Sequence, residues 1–395
     1  MNHKKYRILI VHNKYQIPGG EDTVVQNEIT MLKKYGHDVF LYERNNSELK
    51  NYGMKEKLVL PFNTIYSKQI KKEIKELIKK NNIDLVHVHN TLLLISPSVY
   101  DAAKECNVPV VQTIHNFRFL CPNGIFFRDG HVCEDCLTQG LQNAVKHSCY
   151  RGSKAQTIIV TETLKRMHRK HVFDDMNCIC LTQFNKEKLL SSGLFHEDRL
   201  FVKPNFISLQ ETPLPYSQRK NQCVYAGRIE EMKGFPFLIE AWASIPDAPK
   251  LILCGDGPLF EQAKEYVVSN NVSNIELRGR VRHEEVLELL KESKVMVFAS
   301  KWYEGFPMSI TESLSCGTPV LVPDFGNAGS LITDNVNGFH YALEDKDSLK
   351  TSLVKLLNKT DYDLSSMASA YTEEENYKTL MNIYDTAIHR MKGEQ

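Results

Sequence analysis

Lys301-Trp-Tyr-Glu-Gly-Phe-Pro-Met-Ser-Ile-Thr-Glu-Ser-Leu-Ser-Cys-Gly-Thr-Pro-Val320 is the stretch from which the rest of the chain can be read. The apolar run before it, Val295–Ala299, reads as a buried strand that enters a loop carrying Glu304 and Gly305. Pro307 falls where a helix begins, a position at which its missing N–H costs nothing. Gly317 suits the C-terminal cap of that helix. Ile310 and Leu314 are four apart and share the core-facing side. Glu312 lies roughly 200° round from Ile310 and so points away from that core. Free amides at the helix start, those of Gly305, Phe306 and Met308 around the N–H-less Pro307, can bind a diphosphate. Spacing alone also allows a plain acidic loop beside a solvated helix position.

Outward from this segment, short β-branched runs alternate with segments of helical period, the pattern of parallel sheets with crossover helices. The first half offers strands at Arg7–His12, Asp38–Tyr42, Ile83–His89, Val108–His115, Asn177–Leu181 and Leu200–Lys203. The second offers Cys223–Ala226, Lys250–Cys254, Ile275–Arg278, Val295–Ala299 and Pro319–Val322. A length of 395 residues is comfortable for two domains. The expected division is a first domain over 1–207, a polar linker over 208–222, a second domain over 223–370 and a C-terminal helix over 371–395. The hydrophobic share of 42% and charged share of 25% are those of a soluble globular chain. Net charge is +1, which gives no global bias toward nucleic acid, and none is expected as a partner.

The seven residues between Glu304 and Glu312 resemble the E-x7-E motif of retaining GT-B glycosyltransferases, and the EGFPMSITESLSCGTPV string resembles family 4 of that group. Ala226-Gly-Arg-Ile-Glu-Glu-Met-Lys-Gly-Phe resembles the family's phosphate-binding segment, with Gly227, Arg228 and Lys233 at the phosphates. Cys254-Gly-Asp-Gly-Pro resembles the turn after the second strand of the nucleotide domain, where Gly255 and Gly257 line the donor. The resemblance implies an α/β, GT-B architecture of two Rossmann-like domains facing each other across a cleft, with the C-terminal helix free to return to the first. It implies a sugar transferred from a nucleotide-sugar donor, a UDP-sugar first and a GDP-sugar second, to a glycan or lipid-linked glycan acceptor in bacterial surface polysaccharide synthesis. Breaking a sugar–diphosphate bond releases negative charge on a phosphate oxygen, so fixed cations help more than a proton donor. Arg228 can grip with its fork and Lys233 supplies a point charge. Glu312 would accept from ribose hydroxyls, and Glu304 would hold hydroxyls of the donor sugar. Two surface cations in a loop are the plain alternative for Arg228 and Lys233.

In the first domain Pro18-Gly-Gly-Glu-Asp follows a strand and precedes a helix. It resembles the family's glycine-rich loop, which places Gly19, Gly20 and Glu21 beside the donor; a tight turn with no ligand is the alternative. His115 ends the run Pro109–Ile114 at the position where the family carries a histidine that contacts donor sugar or incoming hydroxyl. The expected catalytic set is therefore His115, Arg228, Lys233 and Glu304. His87 and His89 sit near another strand end, in the family's H-x-H string. Same-face attack, with a donor phosphate oxygen taking the acceptor's proton, is favoured over double displacement through Glu304. No catalytic metal is expected, since Asp345-Lys-Asp and Asp361-Tyr-Asp lie far from any candidate strand end. Two other classes share the fold: nucleotide-sugar epimerases, and non-catalytic carbohydrate-binding proteins.

Cys121, Cys133, Cys136 and Cys149 fall in an insertion over 116–152 with spacing C-x11-C-x2-C-x12-C. A C-x2-C pair with two flanking cysteines fits a structural tetrahedral zinc. His131 and His147 are near enough to replace one thiolate, and a reduced loop without metal is the alternative. The segment Lys68–Lys80 carries six lysines against two glutamates, with Ile70, Ile74, Leu77 and Ile78 on one helical face. Such a helix can lie on an anionic membrane. Its plain reading is an apolar stripe packed on the sheet with the lysines in water. With no stretch long enough for a spanning helix and no export signal, the expected compartment is the cytoplasm, with peripheral attachment to the inner membrane face as an option.

Overall fold

The computed structural model describes the chain except residues 1–3, 17–18, 208–212, 370 and 394–395. Pro18 and the first part of the expected linker therefore lie outside the described residues. The chain forms two compact units. The first comprises 1–125, 134–204 and 376–395; the second comprises 126–133 and 205–375.

The first unit is built on β1 (Arg7–Lys14), β2 (Asp38–Asn45), β3 (Leu85–Asn90) and β4 (Val110–Ile114). A short hairpin of β5 (Phe127–Arg128) and β6 (His131–Val132) follows in the chain, then β7 (Asn177–Cys180) and β8 (Leu200–Val202). The sheet order is β2-β1-β3-β4-β7-β8, with every pairing parallel. Ile8, Leu9, Ile10 and Val11 are all 0% exposed, as the central strand of a sheet covered on both faces requires.

The second unit is built on β9 (Lys220–Ala226), β10 (Lys250–Cys254), β11 (Ile275–Gly279), β12 (Ser293–Val297), β13 (Val320–Pro323) and β14 (Gly338–Tyr341). Its order is β11-β10-β9-β12-β13-β14, again with every pairing parallel. β9 begins inside the segment expected to be linker, because Cys223, Val224 and Tyr225 pair with β10 as a central strand. β14 was not among the expected strands; its four residues carry only a short apolar signal. In each unit the strand order reverses beside the first strand, so the carboxyl ends of β1 and β3, and of β9 and β12, open a crevice for ligand.

Helices cover both sheets. Lys68–Asn81 starts with Ser67, whose hydroxyl accepts from the Ile70 amide at 3.2 Å. It buries Ile70, Ile74 and Ile78 and leaves Lys68, Lys72, Lys79 and Lys80 exposed. The apolar stripe is thus consumed by the fold, and the plain reading of this helix holds. Glu373–Lys392 buries Tyr377, Leu380, Met381 and Tyr384, and from Asn376 onward it belongs to the first unit. Among the described residues no helix is long and apolar enough to cross a membrane.

Candidate functional site

In the second unit, the loops at the carboxyl ends of the strands make an open groove. Gly227 and Arg228 after β9, Gly255 to Gly257 after β10, Arg280 and His283 after β11, and Ser309 and Glu312 of the helix Met308–Ser315 line it. Pro307 is the N-cap of that helix, and Gly317 follows its end at φ +70°. Ile310 and Leu314 are buried in the core, while Glu312 faces the groove as the helical angle requires. Burial pushes the Glu312 carboxyl upward, and His283 Nε2, 4.0 Å away, works against that shift.

The glycines of these loops serve the protein's own backbone first. A Cβ on Gly255 would stand 1.8 Å from the Gly227 carbonyl oxygen, and one on Gly257 would stand 2.4 Å from that of Ile229. Their absence lets the β9 and β10 loops lie together, joined by Gly227 N–H to Cys254 O at 3.0 Å and Ile229 N–H to Asp256 O at 3.1 Å.

Glu304 and Lys233 form a contact of their own. Glu304 is 7% exposed, and its Oε1 accepts from Lys233 Nζ at 2.6 Å and from the Ser300 hydroxyl at 2.6 Å. Asn327 Nδ2 donates to the backbone oxygens of Glu304 and Gly305, pinning the loop. Lys233 Nζ also lies 5.7 Å from the ring centroid of Trp302. Arg228 is mostly in solvent and pairs with Glu230 at 3.1 Å, so its fork can turn toward a ligand. Phe306 and Met308 flank Pro307 at the helix start.

In the first unit, the carboxyl ends of β1, β3 and β4 bring His12, His89 and His115 together, with Glu21 and Asp22 from the start of the helix Gly20–Lys34. His115 and Arg118 line a small cavity with His89, Asn90 and Asn116. Among the described residues nothing lies within 4 Å of a Cβ added to Gly19 or Gly20. His12 Nε2 meets Asp22 Oδ1 at 2.8 Å, and the Asp22 carboxylate also accepts from the Gly19 amide at 2.9 Å. Glu21 Oε2 accepts from the Tyr15 hydroxyl at 2.9 Å, while its Oε1 is buried with no hydrogen-bond partner among the described residues. Burial pushes Glu21 up to about 7, opposed by Tyr15 and by the Arg118 charge. His12, Tyr15, Asp22, Arg118, Arg280 and His283 were not among the residues expected from sequence. His12 is legible afterwards as a polar residue ending an apolar strand; the others carry no local signal.

Deeper in this unit Glu28, His87 and His89 have ligand atoms within 4.8 Å of one another. A divalent ion fits poorly there. The Lys203 ammonium already lies 3.2 Å from Glu28 Oε2, and both nitrogens of His87 have partners in Tyr384 and Thr113.

A family model described as glycosyltransferase family 4 matches residues 18–211, and one described as glycosyl transferases group 1 matches residues 210–375. An uncharacterized glycosyltransferase of Methanocaldococcus jannaschii is 33% identical over 138 residues, 35% of this chain and 38% of that protein. The UDP-Gal:α-D-GlcNAc-diphosphoundecaprenol α-1,3-galactosyltransferase of Escherichia coli is 24% identical, over 71% of this chain and 68% of that one. The chain therefore spans well under half of the first of these relatives and about two thirds of the second. The solved structure of the lipopolysaccharide outer core galactosyltransferase WaaB, in its apo form, superposes with a TM-score of 0.66 at 15% identity, covering 96% of this chain and 99% of that one. At that identity the likeness speaks for the fold alone.

The raised Glu21 carboxyl gives a pH-dependent stability with a definite sign. Its folded value of about 7 lies above the ordinary 4.5, so the protonated form is the one the fold favours. The stabilisation is full below pH 4.5 and is lost as pH rises through 7, a change on the order of 3 kcal/mol. Glu21→Gln removes this loss. Its urea midpoint should rise relative to the wild type between pH 4.5 and 7.5, then hold constant above. A pH-independent difference would place Glu21 at an ordinary carboxylate value.

Proposed function

Because the chain belongs to the group 1, family 4 glycosyltransferases, we propose that it is a retaining enzyme moving a sugar from a nucleotide-sugar donor, a UDP-sugar first and a GDP-sugar second, to a glycan or lipid-linked glycan acceptor of bacterial surface polysaccharide synthesis. The observation that carries the reading is the groove of Gly227, Arg228, Gly255–Gly257 and Glu312, with the Lys233–Glu304 pair beside it. The loops around it are braced backbone to backbone, so little reorganisation opposes binding of a diphosphate. Glu312 accepts from the ribose hydroxyls. Arg228 leaves Glu230 for the phosphates, a bidentate acceptor that its fork fits better. Lys233 keeps Glu304 and spends another of its three donors on the leaving phosphate. Lys233 and Ser300 both donate to Glu304 Oε1, so Oε2 is the oxygen for a sugar hydroxyl. In the first unit, His115 and the Gly19–Glu21 loop are the sugar and acceptor contacts that the family pattern implies. A donor phosphate oxygen takes the acceptor's proton in a same-face transfer, with no metal in the chemistry.

Two attachments belong to the same reading. The C-x11-C-x2-C-x12-C spacing of Cys121, Cys133, Cys136 and Cys149 carries the proposal of a structural zinc in the insertion 116–152. The helix Met54–Ile65 turns Met54, Leu58 and Phe62 outward at 85%, 73% and 73% exposure. These residues, four apart on one face, stand among Lys50, Lys55 and Lys57, and the lysines of Lys68–Asn81 follow in the chain. A surface of this kind suits an anionic bilayer, from which a lipid-linked acceptor would be met.

Four measurements test these statements. In a thermal-shift panel of UDP, GDP, ADP and CMP, UDP or GDP at about 100 times its Kd should raise Tm by several degrees. Matching UDP-sugar or GDP-sugar should then turn over only with acceptor, unaffected by EDTA, and at least about a hundredfold less in Lys233→Ala. Release of free UDP without acceptor would make the chain an epimerase, and binding without turnover a carbohydrate-binding protein. Protein purified without chelator should carry about one zinc per chain, whereas less than about 0.2 would remove the metal. Vesicles with anionic lipid should sediment the wild type more than neutral ones, and Met54→Ser, Leu58→Ser and Phe62→Ser together should abolish the difference. Equal sedimentation with both lipids would end the membrane reading.

A further inference from the structure

The buried histidines of the first unit form a chain that ends at His115. Its inner end is the Glu28 carboxylate, 2% exposed and in the middle of the helix Gly20–Lys34. Glu28 Oε2 lies 3.2 Å from the Lys203 ammonium, and Oε1 faces His87 Nδ1 at 2.9 Å and His89 Nε2 at 3.4 Å. His89 Nδ1 in turn meets His115 Nε2 at 2.9 Å. The His89 and His115 rings are nearly parallel, 25° apart with centroids at 5.2 Å. The other groups facing this chain are His12, edge-on to His89 and tied to Asp22, and Tyr384, whose hydroxyl lies 2.7 Å from His87 Nδ1.

An ionised carboxylate can only accept hydrogen bonds, and a neutral imidazole has one donor and one acceptor nitrogen. Lys203 and His87 hold Glu28 ionised despite its burial. A bare lone pair on His89 Nε2 would face that negative charge, so the proton of His89 belongs on Nε2. Nδ1 of His89 is then the acceptor. His115 Nε2 must carry the proton between the two rings, which leaves the lone pair of His115 on Nδ1. Burial and the neighbouring histidines disfavour a second proton on either ring, pushing His89 down to about 3 and His115 well below its usual range.

We infer that Glu28 and His89 are positioning residues that fix His115 as the neutral Nε2–H tautomer, so that its Nδ1 presents a hydrogen-bond acceptor to a sugar hydroxyl. His115 in this state accepts from hydroxyls and cannot donate from Nδ1 to a phosphate or carbonyl oxygen. The tautomer follows from the side-chain geometry; its use on a sugar rests on the transferase reading above.

Long-range 1H–15N spectra of the full chain, with histidines labelled and His115 assigned through His115→Gln, test the tautomer directly. The expected result is a pyrrole-type Nε2 and a pyridine-type Nδ1 on His115 from pH 6 to 8.5. A protonated Nδ1, or an imidazolium anywhere in that range, would overturn the inference. His89→Asn, whose amide oxygen can stand where Nδ1 stood, should keep the tautomer and most of kcat/KM. His89→Leu, checked for fold by circular dichroism, should release the tautomer and lower kcat/KM about ten- to a hundredfold, the scale seen when a metal-ligating histidine loses its orienting partner. Equal activity in His89→Asn and folded His89→Leu would refute the positioning role. A correct tautomer in a chain that turns over no nucleotide sugar would refute the transferase reading and leave the tautomer assignment standing.

Discussion

A carboxylate and an ammonium with almost no access to water, Glu28 and Lys203, set the arrangement of the first unit. Burying such a pair is a poor source of net stability, but leaving either partner alone costs about 3–5 kcal/mol. The pair therefore acts as a register. Lys203 follows β8 and is also held by Asn376 Oδ1 at 3.0 Å, while Asn376 donates to the Pro204 carbonyl. The first helix, the end of the last strand and the C-terminal helix must come together in one way for both charges to be satisfied. Glu21 and Asp22 stand in the first turn of the helix that carries Glu28, so their placement at the carboxyl end of β1 follows from the same contact.

The second unit reaches its order by a different route. There the loops are joined through main-chain hydrogen bonds, with Gly255 N–H to Gly279 O at 2.8 Å and Leu259 N–H to Ile229 O at 3.0 Å. Gly234, at φ +67°, leaves an added Cβ only 1.9 Å from the Ala299 carbonyl oxygen, so the β9 loop can lie against the end of β12. One unit presents side chains whose protonation is settled by burial. The other presents backbone amides and the cation Arg228 around an open groove.

This difference explains what the sequence disclosed. In the second unit the working residues lie in a few contiguous segments, because each loop follows its strand directly. Helical angle alone turned Glu312 away from Ile310 and Leu314, and the groove it faces is where a ligand would lie. Arg280 and His283 escaped notice because nothing local separates them from surface cations. In the first unit the decisive partners are 175 residues apart in Glu28 and Lys203 and 297 apart in His87 and Tyr384. No period or spacing reports such contacts. The helix Lys68–Asn81 was legible through its strong alternation of lysine and isoleucine, whereas the exposed face of Met54–Ile65 looked in sequence like any other apolar stretch.

The state of Glu304 bears on how retention would be achieved. A carboxylate that attacks an anomeric carbon needs a free lone pair and little stabilisation of its charge. Glu304 has an ammonium and a hydroxyl on one oxygen, each at 2.6 Å, and its loop is pinned through Asn327. Charge-assisted bonds of this length lower the energy of the resting carboxylate and so raise the barrier to its attack. The same bonds fix the direction in which the second oxygen accepts, which is what holding a sugar hydroxyl requires. Under the proposed same-face transfer this arrangement suits an orienting role for Glu304, and the acceptor's proton would pass to an oxygen of the departing phosphate, whose developing charge Lys233 and Arg228 would receive.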